Sequence, residues 1–266
     1  NLHISFVAAG LILSTYTLAG IAPDYWYLVL AASGALLVYH ADRAFFKAEE
    51  DLTNSIDRLL WYKNHNAYVW VSTIIAVIGV ALGSTYVSGS VLRVGMLIGL
   101  GGILYSAPIP FTSWRIKDIQ FLKTVLIIAC WVAGGVVLPI LDVVPVNEIV
   151  LLAVYKCLYI FPNVLLAEWV DRAGDADRGA LSMGARMNLT LIRVISVAFF
   201  LVSIFLLWNW GSFAQRVDVL IIDVIGMLGM LVMILFNKTW TSEQIITVDL
   251  WVGFGLVTWL FQILTS

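Results

Sequence analysis

The sequence predicts an all-α polytopic membrane protein, a single transmembrane domain over residues 1–266 made of nine transmembrane helices. Three observations predict it. The 266 residues are 61% hydrophobic and only 12% charged, roughly half the charge of a soluble domain. Mean hydropathy is +0.96, and the apolar residues fall into runs of about twenty, the length a helix needs to cross a bilayer. The short alternating segments of a transmembrane β-barrel are missing. In lipid every backbone amide needs an internal partner, so each run is expected to be helical.

The runs, taken in order, are about 2–21, 25–45, 67–85, 89–107, 119–141, 147–169, 188–208, 216–236 and 247–264. Lys and Arg orient them. On the side of the N-terminus lie Arg43, Lys47, Arg58, Lys63, Arg115, Lys117, Arg172, Arg178, Arg186 and Lys238, against Arg93 and Arg216 on the other side. Ten against two places the N-terminus in the cytoplasm. The two long polar loops, about 46–66 and 170–187, follow the second and sixth spans and share that side. Their spacing suggests two four-helix halves, about 1–107 and 119–236, plus a ninth helix. The composition gives no basic surface for nucleic acid.

The second loop is rich in carboxylates: Glu168, Asp171 and Asp175, then Asp177, interleaved with Arg172 and Arg178. Spacings of three and four put the first three on one face if the sixth helix runs on through them. Carboxylates stacked beside a membrane are costly. Either a divalent cation or the interleaved arginines would offset them. Magnesium suits one or two carboxylates combined with phosphate oxygens. The first loop again mixes the two kinds: Asp42 and Arg43, Glu49, Glu50 and Asp51, Asn54, Asp57 and Arg58. Facing each other across a cavity, the two loops would hold a metal and a diphosphate, with Arg58 and Arg178 on the remaining phosphate oxygens. The apolar bundle beneath would take a hydrocarbon tail. A solvated loop with local ion pairs is the alternative.

Other polar positions are single residues. Lys156 falls near the middle of the sixth span, where it is either a functional residue or a structural partner of, for instance, Asp142 or Glu148, and Asp223 falls within the eighth without an obvious partner. Pro162 is expected to disturb the sixth helix just before its carboxylates. Lys123 lies one turn into the fifth span, placed for a phosphate or a lipid headgroup. His3 and His40 read better as satisfied bundle residues than as a haem pair, and Cys130 and Cys157 as small buried hydrophobes.

These features resemble the UbiA superfamily of intramembrane aromatic prenyltransferases. Nine helices with polar loops after the second and sixth is that family's plan. The stretch Asp171 to Met183 is similar to its second motif, D-x-x-G-D-x-x-x-G-x-x followed by Ser or Thr and then Leu or Met. The run from Asp51 through Asn54 to Arg58 is similar to the end of its first motif, D-x-x-N-x-x-x-R. Leu104, Tyr105 and Ser106 ahead of Pro108, then Leu122, Lys123 and Trp131, resemble the passage between its fourth and fifth spans. The resemblance covers essentially the whole chain. It departs at the opening of the first motif, N-D-x-x-D-x-x-x-D. Asp42 takes the middle Asp place, while Val38, Tyr39 and Phe46 stand in the Asn, first Asp and last Asp places. Either Glu49, Glu50 or Asp51 supplies the missing oxygens, or this half has lost its metal.

The resemblance implies transfer of an isoprenyl group from a polyprenyl diphosphate to a lipid-soluble aromatic or related acceptor. It implies Mg2+ bound by Asp42, Asp51, Asp171 and Asp175, with Asn54, Arg58 and Arg178 on the substrate. Lys123 would stabilise charge and Tyr105 would face the developing carbocation. The degraded first motif leaves a second reading, a catalytically silent subunit that binds lipid or quinone within a larger membrane complex.

Overall fold

A computed structural model describes residues 2–45, 51–109, 111, 115–177, 179, 181–209 and 217–265. Among them seven helices are long and apolar enough to cross a membrane: Leu2–Ala19, Asn66–Tyr86, Gly89–Ser106, Gln120–Ile140, Val146–Val170, Leu189–Trp208 and Val219–Phe236. The expected second span is shorter as α-helix, Tyr25–His40, and runs on as a π turn, Ala41–Phe45. The expected ninth is two helices, Ser242–Val252 and Gly255–Thr265, parted at Gly253. Among the described residues each of the apolar runs is helical over most of its length, and the last is broken.

The outer faces carry what lipid wants. Ile74, Ile75, Ile78, Phe205, Ile221 and Val232 are exposed. Burial ranks the spans. The first is 67% buried and the sixth 61%, against 39% or less for the other five long helices. The first and sixth therefore form the centre. The first also packs against the broken ninth, where the approach is too close for side chains. A Cβ on Gly10 would lie 2.1 Å from the carbonyl oxygen of Gly253. Small residues let backbones meet in this way inside membranes.

Buried polar groups fasten the centre. The Lys156 ammonium lies 2.8 Å from both carboxylate oxygens of Asp223 and donates to Ser14 at 2.7 Å. Ser14 and Tyr155 also donate to Asp223. Lys156 and Asp223 are 0% and 2% exposed, so this pair is closed to water. It corrects the expectation that Lys156 would reach Asp142 or Glu148. Asp142 is held instead by the hydroxyls of Ser88 and Ser90, each at 2.6 Å, which keep its carboxyl below the usual range. Thr15 donates to Gly135 at 2.8 Å and Tyr27 donates to Gly134, tying the first two spans to the fifth. Arg193, at the start of the seventh span, donates to the carbonyls of Ile234 and Asn237 at the end of the eighth. A cation suits that C-terminal helix end.

Breaking a buried pair leaves an uncompensated charge. Lys156→Met should lower stability by about 3–5 kcal/mol, and the double variant K156M/D223L should recover most of the loss. Thermal midpoints in detergent read both; wild-type melting of K156M would remove the pair from this structural role.

Candidate functional site

The sixth helix stops at Val170, turns at Asp171 and resumes as a short helix, Arg172–Asp177. The uninterrupted helix that the carboxylate spacing suggested is thus broken by one turn residue. Glu168, Asp171 and Asp175 nonetheless line one cavity. Their environments differ. Glu168 is buried and accepts from Thr124 at 2.7 and 2.9 Å and from the Gly184 amide at 2.8 Å. It acts as a tie between the fifth span, the sixth and the short helix Met183–Arg186. Asp175 is held by Lys123, with Nζ at 2.6 and 2.9 Å from its two oxygens, and by Ser182 at 3.4 Å. Asp171 pairs with none of the described side chains. Arg172 turns away, stacking on Trp169 at 3.8 Å and donating to its carbonyl. Among the described residues Lys123, rather than Arg172, is therefore the cation against the second motif. Gly179 has φ of +69°, a conformation that explains a glycine at that motif position.

The two polar loops meet. The side-chain oxygen of Asn54 accepts from the Gly174 amide at 2.7 Å, and Thr53 donates to Asp177 at 2.7 Å. Asn54 thus holds the backbone of the second motif. The helices Asp51–Asn54 and Ile56–Asn64 carry this part of the first loop. The side chains of Asp51 and Arg58, and all of Glu49, Glu50 and Arg178, lie outside the described residues.

Asp42 projects from the π turn into the same cavity. Lys117 donates to one of its oxygens at 2.5 Å, and the Arg43 guanidinium lies 3.3 Å from the other. Ser106 donates to it as well. Sequence reasoning counted Lys117 only toward orientation. Nothing in its local spacing ties it to Asp42, 75 positions earlier.

The cavity has a volume of about 690 Å³. Its polar-loop end holds Asp42, Arg43, Lys117, Lys123, Asp171 and Asp175 together with Tyr105. Its walls are apolar, including Val38, Leu97, Ile98, Leu126, Ile127 and Val164. Sequence analysis singled out Tyr105, Lys123, Asp42, Asp171 and Asp175, and the fold brings them around one space. A second polar group, Asn163, Asp249 and His3, lines the cavity from the sixth, ninth and first spans. Asn163 donates to Asp249 at 2.8 Å, and the His3 ring nitrogen lies 3.7 Å from the other Asp249 oxygen. Sequence reading missed this group, because the three residues come from distant parts of the chain. His40, in contrast, is buried and bonded to Thr73 at 2.9 Å.

Carboxylates facing a space of this size suit magnesium in chemistry. Among the described residues, no three His, Cys, Asp or Glu side chains stand close enough together to hold an ion. The donor set fits a metal that takes one or two carboxylates and completes its shell with phosphate oxygens and water, the usual magnesium habit. It does not fit an all-protein cage.

No protein-family model matches the chain, and no curated protein matches its sequence. A solved structure does match: the apo structure of a UbiA homolog from Aeropyrum pernix K1. The TM-score is 0.63 over 97% of this chain and 98% of that one, at 12% sequence identity. The chain has the UbiA-like fold that its motifs resembled.

The loop-to-loop contact is directly testable. Asn54→Leu removes the acceptor for the Gly174 amide, a loss of about 1 kcal/mol. Exchange of that amide with deuterium should speed roughly five- to tenfold, while amides in the centre of the sixth span keep their rates. Unchanged exchange at Gly174 would mean the two loops are not clamped there.

Proposed function

We propose that this protein is an intramembrane prenyltransferase that moves an isoprenyl group from a polyprenyl diphosphate to a lipid-soluble aromatic or related acceptor. One observation carries the reading. A single cavity joins a charged end, built from both polar loops, to apolar walls, and so offers one place for a diphosphate and its hydrocarbon tail.

Charge balance supports a metal. The described charged end holds three cations, Arg43, Lys117 and Lys123, and four carboxyl groups, Asp42, Glu168, Asp171 and Asp175. The cations are already engaged, so a diphosphate entering this space needs added positive charge. Asp171 and Asp175 would hold Mg2+, with Asp42 or Asp51 contributing from the first loop. The bound ion would act as a Lewis acid, neutralising the diphosphate as the allylic C–O bond ionises. Lys123 would swing from Asp175 to a phosphate oxygen, and Arg58 and Arg178 would bind the others. Asn54 would keep the second motif in place through Gly174. The Tyr105 ring would face the developing carbocation, and the apolar walls would keep water from it. The cytoplasmic placement of both loops and of the N-terminus follows from the Lys and Arg bias. The substrates would enter from the surrounding lipid.

A second reading has its own observation. Asp42 is paired with Lys117 and Arg43, and Asp175 with Lys123. A catalytically silent subunit of a larger membrane complex, binding lipid or quinone in the cavity, would look the same.

Purified chain supplied with a polyprenyl diphosphate, an aromatic acceptor and Mg2+ separates the two. Transfer should appear, stop on chelation with EDTA, and fall at least a hundredfold in Asp171→Ala and in Asp175→Ala. No turnover under any divalent cation, with stable co-purifying subunits, would favour the silent reading. Full activity in both variants would remove the assigned roles.

A further inference from the structure

The helix Ile56–Asn64 lies between the loop clamp at Asn54 and the third span, and none of its described side chains is fully buried. Isolated helices shorter than about 12–15 residues are marginal in water, so this one, of 9 residues, needs a surface to lie on. It packs against the helix Asp51–Asn54, the π turn Ala41–Phe45 and the helix Asn66–Tyr86. Leu59 and Tyr62 are half-buried, and Trp61 and Tyr62 line the cavity. Ile56 and Leu60, one turn apart on a shared face, are left 54% and 45% exposed.

Aromatic side chains fix the level of this helix. Trp61 stacks on His65 at 4.7 Å and meets Tyr68, in the first turn of the third span, edge-on at 5.4 Å. At the other end of that span Tyr86 stacks on Trp26 at 4.1 Å. Trp61, Tyr68, Trp26 and Tyr86 are all exposed. Exposed Trp and Tyr mark the two headgroup levels of a bilayer. From Tyr68 to Tyr86 the span rises about 27 Å, close to the roughly 30 Å of hydrocarbon core. Trp61 and its helix therefore lie at headgroup level on the side of the polar loops. Through Trp61 and Tyr68 the exposed apolar surface of this helix continues into Val71, Ile74 and Ile75 on the lipid-facing side of the span. Lys63, also exposed, has a stem long enough to carry its ammonium out to headgroup phosphates.

We propose that the helix Ile56–Asn64 is seated in the bilayer surface, with Ile56 and Leu60 among the lipid chains, so that the membrane itself holds Trp61 and Tyr62 over the polar end of the cavity. Lipid is the occupant that the aromatic level selects, since a soluble partner cannot reach a face turned into the acyl boundary. An apolar face buried in this way is how interfacial helices bind membranes. The seat also steadies the neighbouring helix Asp51–Asn54, whose Thr53 and Asn54 hold the second loop. The inference does not rest on the prenyltransferase reading; it makes the roof of the cavity depend on lipid.

Spin labels test it. In the full chain with Cys130→Ala and Cys157→Ala, a nitroxide is attached at Ile56→Cys, Leu60→Cys, Asp57→Cys or Ile75→Cys. Power saturation in phosphatidylcholine vesicles compares collisions with oxygen, which concentrates in lipid, and with a water-soluble nickel chelate. The labels on Ile56→Cys and Leu60→Cys should favour oxygen, as the label on Ile75→Cys in the span does, and the label on Asp57→Cys should favour nickel. The double variant I56S/L60S, altered only at exposed positions, should speed deuterium exchange of the amides of this helix roughly tenfold or more in vesicles, with the sixth span unchanged. The proposal is overturned if the labels on Ile56→Cys and Leu60→Cys favour nickel. It is also overturned if they are shielded from both reagents, the result for a second copy or another protein covering this face, or if I56S/L60S exchanges like wild type. Every arm reads lipid contact and none reads prenyl transfer, so failure of the enzyme reading would leave this result standing.

Discussion

The ion pair of Lys156 and Asp223 sets the register on which the rest of the bundle depends. Two charges withdrawn from water are stable only when both are fully paired and hydrogen-bonded. Here Ser14 and Tyr155 complete the set. The ammonium also lies 5.2 and 5.0 Å from the ring centres of Tyr155 and Tyr159. Tyr159 in turn donates to the Trp251 carbonyl at 2.5 Å. The first, sixth, eighth and ninth elements are thereby fixed against one another at one level. A rotation of the sixth helix by one residue would strand a charge in an apolar interior.

That register carries the cavity wall. Ile160, Asn163, Val164, Ala167, Glu168 and Asp171 all line the cavity, and they recur at helical spacings of three and four. Lys156, two turns before Asn163, anchors the helix that presents this face. Pro162 sits within it and has no amide to donate, yet the helix runs continuously through it. The pinning below and the Glu168 tie above hold the segment on both sides. Function and stability thus share one helix: its lower half is closed by an ion pair, its upper half opens polar groups toward the space beside it.

Much of this was legible in the sequence. Long apolar runs marked the helices because lipid leaves the backbone no alternative. The break in the ninth was harder, since its composition stays apolar through Gly253, Phe254 and Gly255. The second motif was legible as a carboxylate cluster because its residues are neighbours. Partners that are distant in sequence were not. The carboxylates nearest Lys156 in sequence are Asp142 and Glu148, whereas its partner Asp223 lies 67 positions on. Lys117 and the Asn163–Asp249 contact share this character: only tertiary packing brings them to the cavity, and no local period announces them.

The divergent first motif takes its meaning from those distant contacts. Where the family pattern offers several carboxylates, the described residues at this end of the second span offer Asp42, bound to Lys117 and Arg43. Across the cavity Asp175 is bound to Lys123. On the prenyltransferase reading, these pairs would couple the two ligands. Lys117 and Lys123, drawn onto diphosphate oxygens, would free Asp42 and Asp175 to hold a divalent cation, whose charge would strengthen the hold on the diphosphate. By linkage each would raise the affinity of the other by the same factor. The free protein would keep its charges internally matched in a low-dielectric setting, where unpaired carboxylates are costly. Substitutions that look like loss in the first motif are then compatible with a site whose charge is supplied in part by lysine.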